Sequence, residues 1–244
     1  MSLWLKSRMS RWESSSNSAR RFSPLDIPNL VAWYRADLGI TLNGADVSDW
    51  ADQSGNGNHI SQATAANQPL FNASDVDFNN NSSVEGDGVS ELLRRTAFVT
   101  GAIPQPNTLV IVYKMNDNVG VQNLCNSGTA SARQALFAVD TDFRMFASTA
   151  QSIHTADTNT HTLIGLFNGA SSNSWLDGVA GTPAGTVGTE AMNGLTLFAN
   201  DISLAWVNGK IAEFAIYDRN LTNQEKNPFG NYAADRYGLT WTDI

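Results

Sequence analysis

Short runs of β-branched and aromatic residues, bounded by Asn, Ser and Gly, recur along most of the chain. Thr108-Leu-Val-Ile-Val-Tyr-Lys114 and Ile211-Ala-Glu-Phe-Ala-Ile-Tyr217 have strand length and strand composition, and both predict core strands. Between such runs, segments like Ser54-Gly55-Asn56-Gly57-Asn58 collect residues that tolerate positive φ or hydrogen-bond their own backbone, which predicts tight polar turns. A period nearer 3.6 shows in two places. Leu5, Met9 and Trp12, with Trp4 and Arg8 beside them, predict a short amphipathic helix over residues 3–12. Near the C-terminus, Thr222 followed by Glu225 is a capping box. Pro228 and Gly230 then interrupt the pattern, predicting a short turn to Asn227 and a separate helix from Pro228 to Arg236, stopped at Gly238.

Composition narrows the class. A chain of 244 residues with 42% hydrophobic and only 16% charged positions buries one large core, and its turn-rich makeup favours all-β structure. The lone Cys125 excludes an internal disulfide or a cysteine-built zinc site and reads as a buried bystander. No apolar run reaches the 18 residues of a membrane-spanning helix, and the first residues lack the apolar core of a secretory signal. Charge is segregated. Residues 1–22 hold five bases against one acid, a balance of +4, while residues 23–244 hold ten bases against twenty-two acids, a balance of −12. An acidic body repels nucleic acid, so no nucleic-acid partner is expected. The basic arm, with Trp4, Leu5, Arg8, Met9, Arg11, Trp12, Arg20 and Arg21, is expected to dock on an acidic, partly apolar partner surface.

Four segments in order carry a family resemblance: Trp50-Ala-Asp-Gln-Ser-Gly-Asn-Gly-Asn58, then His161 to Phe167 with Ser174-Trp-Leu-Asp-Gly178, then Gly194 to Phe198, then Gly209 to Asp218. Residues 28–239 resemble laminin-G-like domains of the concanavalin A-like lectin/glucanase superfamily. The resemblance implies a two-sheet antiparallel jelly-roll sandwich. The expected organisation is an extended or helical arm over residues 1–25 and a sandwich over residues 26–244 with a short C-terminal helix.

Several residues are candidates for chemistry. Asp52, Ser54 and Asn56 reproduce the opening half of an oxygen-ligand calcium loop, but Ala63 stands where a bidentate Glu completes such loops. A structural turn in which Asp52 accepts backbone N–H groups is the favoured reading over a calcium site. Glu85, Asp87 and Glu91 have the Glu-x-Asp-x-x-x-Glu form that some glucanase relatives use for acid/base and nucleophile roles, although Gly86 and Gly88 favour a turn there, and no catalytic residue is assigned. His161 reads as a partly buried packing residue. Trp33, Trp50 and Trp175 read as core, whereas Trp206, beside Asn200, Asp201 and Asn208, is the candidate exposed ring for stacking on a sugar.

The resemblance extends to structural proteins of tailed bacteriophages. Together with the basic arm and the missing export signal, it leads to the expectation of a non-enzymatic virion protein, made in the host cytoplasm and present in many copies. Its arm would engage other virion proteins, with no cofactor and no membrane span. A lectin-like module contacting host or extracellular glycans is the alternative, and a glycoside hydrolase the third reading. The lectin reading predicts a shallow concave face bearing an exposed aromatic ring and several Asn or Asp side chains.

Overall fold

The computed structural model describes residues 21–181 and 185–244. Trp4, Leu5, Arg8, Met9, Arg11, Trp12 and Arg20 lie outside the described residues. Arg21 is exposed, and Phe22 packs its ring on Phe229 and Tyr232.

Among the described residues, seventeen strands and one α-helix follow one another. The first six strands are β1 (Leu30–Arg35), β2 (Ile40–Asn43), β3 (Asp46–Trp50), β4 (Ile60–Ser61), β5 (Leu70–Asp75) and β6 (Asn81–Asp87). Next come β7 (Leu93–Arg95), β8 (Asn107–Met115), β9 (Val121–Asn126), β10 (Ala135–Val139), β11 (Asp142–Phe146) and β12 (Ala150–Thr155). The chain ends with β13 (Thr160–Phe167), β14 (Asn173–Leu176), β15 (Val179–Ala180), β16 (Leu195–Leu197), β17 (Asn208–Tyr217) and α1 (Asn223–Tyr237).

All pairings are antiparallel, and they sort the strands into two sheets. One runs β2-β3-β4-β7-β16-β9-β10-β11-β12. The other is centred on β17, which pairs with β1 and β6 along one side and β8 along the other, and continues through β13, β14 and β15, with β5 outside β6. A single pair, Asp46 opposite Leu70, joins the sheets at one edge. The expected all-β sandwich is therefore the fold, and its main core, which includes Tyr34, Trp50, Leu93, Ile111, Cys125 and Phe214, fills the space between the sheets.

The eight-stranded sheet is covered on its other face as well. Helix α1 lays Phe229, Ala233 and Tyr237 over Trp33, Val110, Val112 and Ala215, forming two smaller apolar clusters. Burial on both faces explains why β8 and β17 are near-continuous apolar runs rather than alternating ones. Between the helix and the sheet lies Glu213, fully buried, whose carboxylate accepts Trp33 Nε1–H at 2.6 Å, Tyr237 O–H at 2.8 Å and Tyr232 O–H at 3.1 Å.

Helix α1 corrects the sequence expectation of a break at Pro228: it is continuous from Asn223 to Tyr237. Its start is tied by the Glu225 carboxylate, which accepts the Thr222 N–H at 2.8 Å and hydroxyl at 3.0 Å. Pro228 lies close to the N-terminal end, so its missing N–H removes one bond at the start of the ladder, and burial of Phe229 against the sheet outweighs that loss. Gly230 is a close-packing position rather than a flexible one, since a Cβ there would sit 2.0 Å from the Trp241 ring. The predicted stop holds, with Gly238 in the left-handed region at φ 70°. No helix among the described residues is long and apolar enough to cross a membrane.

Candidate glycan-binding face

With α1 covering the eight-stranded sheet, the outer face of the nine-stranded sheet is open towards its two ends, at Asp49 and Ser61 and at Phe146 and Ser152, while Thr196, Asn126 and Ala135 at its centre are fully buried. Strand alternation decides what it displays. Leu93, Leu195, Leu197, Cys125, Leu136 and Met145 point into the main core. Their neighbours therefore point outward, and the register aligns them into one cross-strand row. Asp49 faces Ser61, Ser61 faces Arg94, Arg94 faces Thr196, and Thr196 faces Asn126. Asn126 in turn faces Ala135, and Ala135 faces Phe146. One step along the strands, Asn123, Phe137, Arg144 and Ser152 form a second row.

At the β3–β4 end the row opens into a depression of about 340 Å³ lined by Asn43, Ser48, Asp49, Ser61, Gln62 and Gln68. Its polar groups are held in a chain: Asn43 Nδ2 donates to Gln68 Oε1 at 3.0 Å, Gln68 Nε2 to the Gln62 carbonyl at 2.6 Å, and Ser48 Oγ to Asp49 Oδ2 at 2.9 Å. In the middle, Arg94 Nε donates to Thr196 Oγ1 at 2.9 Å and Arg94 Nη2 to the Asn200 carbonyl at 2.9 Å. Burial lowers the Arg94 pKa from its ordinary value, while the charge of Asp201 opposes that shift. Arg133 pairs through Nε with Asp201 Oδ1 at 3.1 Å and lays its guanidinium 4.7 Å from the centre of the Phe146 ring. Two half-buried phenyl rings, Phe137 and Phe146, thus lie among amides, hydroxyls and guanidinium groups. That mixture of ring faces and directional polar groups matches the two surfaces of a sugar, apolar C–H patches and hydroxyls.

Of the residues proposed from sequence, Asn200 and Asp201 lie on the loop held by Arg94 and Arg133 on this face, whereas Asn208 begins β17 in the other sheet. Asn200 turns its Oδ1 onto its own loop, accepting Leu204 N–H at 2.8 Å and Ile202 N–H at 3.2 Å. The Asp201 side chain is 5% exposed, beneath Arg133. Asn208 Nδ2 donates to Asp117 Oδ2 at 2.5 Å, and Asn208 Oδ1 accepts from Asn116 at 3.1 Å. Trp206 is half-buried and its Nε1 is enclosed without a partner, so its ring is less open than the sequence suggested. The residues that sequence reasoning missed, Arg94, Asn126, Arg133 and Phe146, come from three separate strands and the loop between β9 and β10. Only knowledge of the register brings them together.

Asp52 is in use as a turn organiser. Its carboxylate accepts the N–H groups of Trp33, Ser54 and Asn58 at 2.9, 2.8 and 2.9 Å and the Ser54 hydroxyl at 2.8 Å. Asn56 points its Nδ2, a donor, at the carbonyls of Leu30 and Val31, so a calcium ion at Asp52, Ser54 and Asn56 would have to displace this network. Among the described residues no three His, Cys, Asp or Glu side chains gather in a metal-binding group.

Two further titratable sites lie elsewhere. His161, half-buried, is held between Asp177 at 2.6 Å and Asp157 at 2.9 Å, and it is an ion-pairing residue more than the packing residue expected; those carboxylates raise its pKa against the opposing effect of burial. Of the Glu85–Asp87–Glu91 set, Glu85 accepts the Asn72 and Asn116 side-chain amides at 2.7 and 3.0 Å. Burial, with Asp87 adding its charge, raises Glu91 to about 7, although the Asp87 N–H donates to it at 2.5 Å.

No family model matches this sequence, and no curated protein matches it. Solved structures do. Trypanosoma rangeli sialidase in complex with sialic acid shares 13% identity at a TM-score of 0.57, covering 86% of this chain and 33% of that one. The botulinum neurotoxin serotype D/C binding domain shares 12% identity at a TM-score of 0.56, covering 86% of this chain and 53% of that one. A type C botulinum neurotoxin structure, described with cell entry dependent on two ganglioside molecules, shares 10% identity at 0.53, covering 84% and 51%. The likeness extends to the fold, a two-sheet antiparallel jelly-roll sandwich. The chain spans about a third of the length of the sialidase and about half of the toxin chains. The expectation of a non-enzyme is corrected by this likeness, because the sialidases that share the fold are enzymes.

Proposed function

We propose that this chain is a lectin-like carbohydrate-binding module that reads a glycan on the outer face of the nine-stranded sheet. The observation that carries the reading is the continuous row from Asp49 to Phe146, which ends in an open polar depression on one side and a phenyl ring on the other. It brings a half-buried phenyl ring and the polar groups of the depression onto one sheet face, the ring and polar groups that a sugar-binding face requires. Support also comes from proteins that share the fold, a sialidase in complex with sialic acid and a neurotoxin whose cell entry depends on interaction with two ganglioside molecules. The virion reading has no comparable support, so the carbohydrate-binding alternative takes its place.

The test is a broad glycan array with the full chain and with Asp49→Ala, at the exposed edge of the depression, and Phe146→Ala. Binding to a defined set of glycans, lost in both variants while their melting temperatures stay near wild type, supports the assignment. Absence of glycan binding by the wild-type chain would overturn it.

A further inference from the structure

Resting on the carbohydrate-binding reading, we infer that the ligand carries an anionic group, a carboxylate or a sulfate, received between Arg94 and Arg133. Both guanidinium groups are fixed to one short loop, Arg94 on the Asn200 carbonyl and Arg133 on the Asp201 carboxylate. Thr196 and Asn126 stand in line between them: Arg94 Nε donates to Thr196 Oγ1 at 2.9 Å, and Arg133 Nε approaches Asn126 Oδ1 at 3.4 Å. Arg94 and Asn126 are therefore two strand spacings apart, about 10 Å, which fits one sugar ring and its substituent.

Most other bases of the described body are matched to carboxylates, Arg95 and Lys226 making no ion pair among the described residues. Lys114 and Lys210 meet Asp75 and Asp77, Arg219 meets Glu225, and Arg144 meets Asp142. Arg35 and Arg236 share Asp37, with the buried Glu213 also acting on Arg35. Arg94 and Arg133 share Asp201, whose side chain is almost covered; Glu190 accepts the Arg133 N–H at 3.1 Å, and Asp49 lies two pairings from Arg94 in the same row. Among the described residues, Arg94 Nη1 and both Nη atoms of Arg133 have no hydrogen-bond partner, while each Nε is anchored. Anchored guanidinium planes with free outward donors suit a carboxylate or sulfate oxygen pair, and the ordering entropy of both side chains is already spent.

The experiment is calorimetric titration of the full chain with two matched pairs at low and high salt. One pair is an oligogalacturonate and its methyl ester; the other is a sulfated lactosamine and its unsulfated parent. Preference for the charged member of either pair, weakened by salt and reduced about tenfold or more in Arg94→Gln and Arg133→Gln, is the expected result and names the source of the anion. Arg94→Lys and Arg133→Lys, which keep the charge, should retain part of that preference, and thermal melts exclude a loss through unfolding. Arginines serving only to hold the loop would change the melting temperature without changing charge preference, which would overturn the inference. Binding of neutral glycans on the broad array with no preference in either pair would overturn the inference and leave the carbohydrate reading standing. Binding of no glycan at all would remove both.

Discussion

Replacing Glu213 by alanine should destabilise the protein by about 3–5 kcal/mol, one of the largest single-residue effects in the molecule. The carboxylate is fully buried between β17 and α1 and accepts from Trp33, Tyr232 and Tyr237 at 2.6, 3.1 and 2.8 Å. Its removal leaves three enclosed donors without an acceptor, each costing about 1–3 kcal/mol before relaxation, and opens a cavity under the helix. Glu213→Gln keeps the shape and one carbonyl acceptor but turns an NH2 group toward donors, so a smaller loss of about 1–2 kcal/mol is expected. Urea unfolding followed by tryptophan fluorescence reads both. With a slope of about 2–3 kcal/mol/M, the midpoint of Glu213→Ala should fall by about 1–2 M with the slope unchanged. A shift corresponding to less than about 1 kcal/mol would refute the claim that this carboxylate locks the helix to the sheet.

Two other perturbations test separate parts of the structure. The Glu91 pKa is raised to about 7 in the folded protein from an ordinary 4.5. Its contribution to stability is therefore fully present at acid pH and is lost as pH rises from about 4.5 through 7. Glu91→Gln should make the melting temperature less sensitive to pH across that window, and an unchanged pH profile would contradict the assignment. Gly178→Ala should lower stability by more than about 2 kcal/mol, because φ is +84° and the new Cβ would lie 1.8 Å from the Thr242 carbonyl oxygen. A melting temperature equal to that of wild type would show that the C-terminal segment does not pack there.

Much of the fold was legible because its signals are local. The apolar runs at 108–114 and 211–217 became β8 and β17, Trp50 and Cys125 became core, and the Asp52 turn formed the backbone network expected of it. Pro228 misled for a physical reason: the breaker rule weighs one lost hydrogen bond, whereas burial of Phe229, Ala233 and Tyr237 decides the helix. The binding face was not legible. Arg94, Thr196 and Asn126 become neighbours only through the pairings of β7 with β16 and β16 with β9, which link positions 102 residues apart in the first case and 70 in the second. A sequence window sees an arginine, a threonine and an asparagine in three unrelated contexts. Trp206 drew attention instead because its polar surroundings were adjacent in sequence, yet those polar atoms are spent on the loop itself.

The position of β17 also bears on how the chain is made. Residues 208–217 pair with strands that begin at residues 30, 81 and 107, and they leave a ribosome after all of these. Until they emerge, β1, β6 and β8 each lack one partner, and the nascent chain carries unpaired apolar edges. Folding must therefore wait until this strand has emerged and then close long loops, which makes it slow for its size. A chain ending before residue 208 would be an aggregating fragment rather than a smaller domain.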